Sequence, residues 1–187
     1  MAGIHYSIKQ NRLKKAFLQG MTLSEDLHLY SDEASASHHF VLPALDSGVE
    51  DCPWGRLRFE LTLPENCICY LYTAATNEKK GEEVLFQTET EILDKKKKLQ
   101  ELRGLVFINK PDVLLYEISG RYLWIMVEVI GAGVSIGDIR VEAPGDNFMQ
   151  TFPEVYRSKN SFFHRYLSIY SSIYNDFQEK LDARKEL

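Results

Sequence analysis

The chain has 187 residues, 44% of them hydrophobic and 26% charged, with 22 Lys and Arg against 27 Asp and Glu. That length holds one good hydrophobic core with an appended element rather than two full domains, and the composition excludes a wholly disordered chain. A formal charge of −5 gives no general attraction to nucleic acid or to an anionic membrane surface. No stretch approaches the ~20 apolar residues of a membrane span, and the first twenty residues hold no apolar run of signal-peptide length, so cytoplasmic synthesis is expected.

Residues 1–20 set Ile8, Leu13, Phe17 and Leu18 among basic residues and end on Gly20, a spacing that fits an N-terminal arm or short amphipathic helix. From Met21 the pattern becomes extended. "MTLSEDLHLYS" places Leu23, Leu27 and Leu29 on one face, and after a polar loop at 31–37 "HHFVLPALDSG" reads as a second strand. Pro43 marks an edge or bend in it, and Asp46-Ser47-Gly48 a turn.

The clearest strand is "GRLRFELTL", in which Leu57, Phe59, Leu61 and Leu63 alternate with Arg56, Arg58, Glu60 and Thr62; the first set faces a core and the second faces water. "PEN" turns the chain into "CICYLYTAAT", apolar on both faces as expected beneath a second layer. Their adjacency predicts an antiparallel hairpin.

Residues 77–104 interrupt the β pattern. Ile92, Leu99 and Leu102 recur at helical spacing, with acids early, lysines late and Gly104 as a stop, which predicts a helical surface insertion at about 88–103. Lys95 to Lys98 read as its solvated face rather than an anion site, because flanking acids cancel them.

Strand signals resume through "LVFINKPDVLLYEISGRYLWIMVEVIGAG". Leu123, Ile125, Val127 and Val129 are uniformly aliphatic and should face the core; Tyr122, Trp124, Met126 and Glu128 alternate with them. "GAGVS" reads as a hairpin turn before a last strand carrying Ile136, Ile139 and Val141 and ending at Pro144-Gly145. These elements predict a mainly β fold, an antiparallel two-sheet β-sandwich over residues 21–145 with a helical insertion.

Chemistry is not announced. None of the histidines, His5, His28, His38, His39 and His164, stands in a His-Glu-x-x-His motif or beside a Ser or Cys nucleophile. "GAGVSIG" joins β segments without a following helix, so it cannot hold a pyrophosphate as a dinucleotide loop does. Cys52, Cys67 and Cys69 form no disulfide framework, and Cys67 and Cys69 with His38 and His39 match no closed zinc pattern; small half-buried strand residues are the simpler reading. The sequence thus points to no enzyme, no cofactor and no metal. Trp54, Tyr70, Tyr72, Tyr122 and Trp124 are the residue types of a carbohydrate-binding β-sandwich, the alternative function, although Tyr122 and Trp124 share one strand face and packing against a helix or the second sheet is the stronger reading of them.

After a linker from 146, Asn160 or Ser161 can cap a C-terminal amphipathic helix in which Phe163, Tyr166, Leu167, Tyr170, Ile173, Tyr174, Phe177 and Leu181 recur every three or four residues. The stripe runs about 30 Å at ~1.5 Å per residue. Either the helix packs back across one sheet, or part of the stripe docks another chain, aromatics being typical of interface hot spots.

These residues carry a resemblance. "FPEVYRSKNSFFHRYLSIYSSIYNDFQEKLD" resembles the segment of the bacterial phage-tail protein domain family that reads Leu-Pro-x-(Ile/Val)-Tyr-Arg and then Phe-Leu-x-Arg-(Tyr/Phe)-Leu-Ser-Ile-(Phe/Tyr). The matching positions are Phe152, Pro153, Val155, Tyr156 and Arg157, then Phe163, Arg165, Tyr166, Leu167, Ser168, Ile169 and Tyr170. "LLYEISGRYLWIMVEVIGAG", "IRVEAPG" and "LDSGVEDCPWGRLRFELTLPENCICYLYTAAT" are similar to the family's preceding strands, so the likeness spans roughly 40–180. Phe152 stands where the family usually has Leu, and the insertion at 77–104 has no counterpart. The resemblance implies a structural, wedge-like baseplate subunit of a contractile phage tail or related injection particle. Its helix would join a multi-chain bundle through Phe163, Tyr166, Leu167, Tyr170, Ile173, Tyr174 and Phe177. The implied partners are other baseplate or tail subunits, with self-association of the isolated chain and final residence in a virion or phage-tail-like particle.

Overall fold

The alternating apolar residues close two antiparallel sheets onto each other. The computed structural model describes residues 5–143 apart from positions 34, 36, 88 and 89, together with positions 166, 167, 169, 170, 173, 174, 177, 180, 181 and 184. In chain order the elements are β1 (His5–Ser7), α1 (Gln10–Leu13), β2 (Phe17–Gln19), β3 (Met21–Leu23), β4 (Leu29–Ser31), β5 (His38–Asp46), β6 (Arg56–Thr62) and β7 (Ile68–Thr76). Then come α2 (Glu82–Phe86), α3 (Ile92–Glu101), β8 (Leu105–Ile108), β9 (Asp112–Leu114), β10 (Tyr122–Ile130) and β11 (Ser135–Glu142). The first sheet runs β3-β4-β11-β6-β9, with β1 also on β11; the second runs β2-β5-β10-β7-β8.

Between the sheets lies the main core. Leu123, Ile125, Val127 and Val129 of β10 meet Leu57 and Phe59 of β6 and Ile136, Ile139 and Val141 of β11, all buried, with Leu61 partly buried against them. Each fully buried large side chain stabilises the fold by about 1.5–3 kcal/mol. A bulge between Gly137 and Arg140, where Asp138 takes φ +43°, shifts the phase of β11 so that both Ile136 and Ile139 point inward. On β5, Pro43 lies beyond the three residues that pair with β2 and within the irregular register between Leu42 and Leu45, where a missing N–H breaks no ladder bond.

A second cluster forms on the outer face of the second sheet. Val41, Tyr72, Ala74, Trp124 and Met126 are buried there beneath Leu85 of α2 and Leu99 of α3. This is why β7 and β10 are apolar on both faces.

Four expectations are corrected. Residues 1–20 are not an arm outside the sandwich: β1 pairs with β11 and β2 with β5, so the sandwich begins at His5 rather than at 21. The stretch from Met21 to Ser31 is not one extended segment but a β3–β4 hairpin, turned where Leu27 adopts φ +64°. Neither β6 with β7 nor β10 with β11 makes a hairpin, since each pair divides between the two sheets. Adjacent strands pair only when the turn keeps both in one plane; "GAGVS", with Gly131 at φ +106° and Gly133 at φ +78°, instead carries the chain across the core. Finally, the insertion holds two helices rather than one, and Leu85 of α2 and Leu99 of α3 cover apolar surface of the second sheet instead of lying free on it.

Candidate docking surface and the polar cluster beneath the insertion

The stripe residues of the C-terminal segment that are described are helical. Tyr166 is 52% exposed, Tyr170 55% and Phe177 65%, and Ile169, Ile173, Tyr174 and Leu181 are exposed to a similar degree. Leu167 is buried. The Tyr166 and Tyr170 rings lie 6.1 Å apart, one helical turn from each other. Phe163 lies outside the described residues. Elsewhere among the described residues the exposed large apolar side chains, Tyr30, Val49, Leu93, Val106, Ile108 and Ile130, are spread over several elements, whereas seven fall on this one helix. A contiguous apolar face of this kind marks an interaction site more often than chance exposure.

The aromatics weighed for sugar binding divide differently. Trp54 and Trp124 are fully buried, with Trp54 Nε1 donating to the Gly120 carbonyl at 2.9 Å and Trp124 Nε1 to Thr76 Oγ1 at 3.0 Å. Tyr72 is buried and donates from its hydroxyl to Glu128 at 3.0 Å. Its own ionisation is pushed up by burial and then by that carboxylate. Tyr70 and Tyr122 keep part of a face open.

Cys69 and Cys67 pack on the inter-sheet core, and burial pushes the Cys69 thiol up to about 12. His38 donates from Nε2 to the Asp32 carbonyl at 2.7 Å. Among the described residues no three His, Cys, Asp or Glu side chains gather as metal ligands, and no helix is long and apolar enough to cross a membrane. A cleft of about 350 Å³ opens where the β4–β5 loop meets the end of β10, lined by Glu33, Ser35, Ser37, His38 and Glu128.

The lysine run departs from its expected solvated face. Lys97 is exposed, but Lys95 is fully buried with its Nζ 3.3 Å from the centre of the Phe17 ring. Lys96 bridges to Glu128 at 2.6 Å, the same carboxylate that receives Tyr72. His39 lies opposite Glu128 in the β5–β10 ladder, fully buried, its ring 5.5 Å from Phe17. Burial pulls Lys95 down to about 8; burial, and then the charges of Lys95 and Lys96, pull His39 down to about 4. The signal for Lys95 was in the sequence: Ile92, Lys95, Leu99 and Leu102 share one helix face, so the first lysine stands inside the apolar stripe.

No family model and no curated protein matches the chain. Among solved structures it is similar to a chain of the Glycosylation Associate Protein complex from Streptococcus agalactiae, at 10% identity and a TM-score of 0.39, over 78% of this chain and 26% of that one. The match thus spans about a quarter of that protein's length.

Proposed function

We propose that this chain is a structural subunit that joins a multi-chain assembly through its C-terminal helix, and that the assembly is the baseplate of a contractile phage tail or phage-tail-like injection particle. The observation that supports docking is the exposed stripe of Tyr166, Ile169, Tyr170, Ile173, Tyr174 and Phe177, gathered at three- and four-residue spacing on one helix. The resemblance of residues 152–170 to phage-tail domains supports the choice of assembly. Aromatic side chains at an interface supply large contact area at low entropy cost, and a few of them suffice for micromolar affinity.

Light scattering on the purified chain tests the docking role. Wild type is expected to self-associate in the absence of its partners, and Tyr166→Glu with Tyr170→Glu to return it to monomer with an unchanged melting transition. Burying two carboxylates at an interface costs several kcal/mol, whereas on an exposed helix they cost little. A monomeric wild type whose double variant loses its cooperative melt would assign the helix to the intramolecular core. Flanking genes for sheath, tube and spike proteins, with co-purification of their products, test the baseplate assignment.

A carbohydrate-binding module is the second reading, and it rests on Tyr70, which pairs across from Glu128, and the polar cleft of Glu33, Ser35, Ser37, His38 and Glu128. A glycan array comparing wild type with Tyr70→Ala separates it from the first: specific binding lost in the variant favours the lectin, and no binding removes it.

A further inference from the structure

The segment joining β7 to β8 lies across the outer face of the second sheet, where it buries nitrogen atoms that have no hydrogen-bond partner. Neither Nδ1 nor Nε2 of His39, nor Nζ of Lys95, meets a partner among the described residues. Such groups weaken a contact, because each gave up water and gained no bond in return. The apolar part of the same contact is separate from the inter-sheet core: Val41, Tyr72, Ala74, Trp124 and Met126 cluster with Leu85 and Leu99. The α2–α3 segment can therefore leave without opening the sandwich.

The geometry points to an acid-released flap: protonation of His39 favours a state in which α2 and α3 lift from the second sheet and uncover Phe17, Val41, Trp124 and Met126. Glycines stand at both ends of the segment, Gly81 at φ +100° before α2 and Gly104 just after α3. A Cβ at Gly104 would come within 2.6 Å of the Thr73 carbonyl oxygen and 2.8 Å of that of Leu99, so the exit is shaped for glycine alone.

The groups facing His39 fix the sign. From α3 come Lys95 and Lys96, both cationic and both opposing a charge on the imidazole. From β10 comes Glu128, whose two oxygens are engaged by Lys96 and Tyr72. Tyr70 and Tyr72 of β7 flank that carboxylate, while β2 contributes Phe17 and the uncharged Gln19. The closed flap thus holds the imidazole neutral and binds fewer protons than the open one. The His39 contribution to closure has its full strength above the ordinary histidine value of 6.5 and is lost as pH falls toward about 4. Lys95 adds a separate dependence between 10.5 and about 8, and below that window its contribution is constant.

Hydrogen–deuterium exchange at pH 7.5 and pH 5.0, corrected for intrinsic rates, measures the opening. With tenfold per pKa unit, acidification should raise the opening equilibrium of residues 92–101 about 30-fold, while the amides of β10 stay protected. His39→Phe should abolish that response. Should this variant not fold, Lys95→Met serves instead: it removes a buried charge, so α3 should be better protected at pH 7.5 and its acid response smaller. The proposal is overturned if α3 exchange is independent of pH, if α3 and β10 lose protection together, or if His39→Phe (or Lys95→Met in its place) keeps the wild-type response.

Discussion

Trp124 is fully buried although it sits on the face of β10 that points away from the inter-sheet core. Its ring fills the space under the insertion and its indole N–H reaches Thr76, so truncation removes both packing and a hydrogen bond. Trp124→Ala should cost about 3–5 kcal/mol, read as a shift in urea midpoint; a loss under ~1 kcal/mol would mean that the space beneath the helices is loosely packed. Gly20 is constrained by backbone instead. It is the single residue between β2 in the second sheet and β3 in the first, at φ +62°, and a Cβ there would overlap the Ser37 carbonyl oxygen. Gly20→Ala should therefore destabilise by more than the ~1–2 kcal/mol of the left-handed conformation alone, measured by the same denaturation.

At the level of elements, the insertion is where the sequence and the fold diverge most. Helix α3 itself was legible, since the apolar spacing, the order of acids before lysines and the Gly104 stop agree with the observed Ile92–Glu101, although its N-cap Glu91 makes no side-chain capping bond. What the sequence did not reveal is which surface it covers. Period-2 alternation tells two faces of a strand apart, but when both are apolar, as in β7 and β10, it cannot say that one lies under a sheet and the other under a helix. The surface-helix expectation implied that residues 88–103 are dispensable. In the structure Thr73 pairs with Leu105, so a short Gly/Ser link can rejoin β7 to β8, and the inter-sheet core contains no residue of α2 or α3. A deletion should keep its strand signal in far-ultraviolet circular dichroism but melt lower and bind a hydrophobic dye, because Val41, Trp124 and Met126 become exposed. Unchanged melting with no dye binding would restore the dispensable reading. Of the C-terminal stripe, Tyr166, Tyr170, Ile173, Tyr174 and Phe177 are exposed on a helix while Leu167, expected among them, is buried; whether the occupant of the exposed part is intramolecular or a partner is decided by surfaces that local periodicity does not encode.

For the whole molecule, the governing feature is that successive strands change sheets. Among the described strands only β3–β4 and β7–β8 remain within one sheet; every other connection between them crosses the core. Such a chain has few local pairings, so hairpin rules misassign neighbours, and most contacts must form between residues distant in sequence. The first twenty residues illustrate the consequence. β1 extends the first sheet, with the Ile8 amide donating to the Ile139 carbonyl at 2.9 Å, and β2 extends the second, while Ile8 and Leu13 are buried in the core between them. Removing residues 1–20 thus strips a strand from each sheet along with two core side chains worth about 1.5–3 kcal/mol each. Together with the exposed ladder edges, that loss is comparable to the ~5–15 kcal/mol that holds a domain folded. The truncated chain should show no cooperative calorimetric transition, whereas an arm lying outside the sandwich would leave the transition temperature where it was.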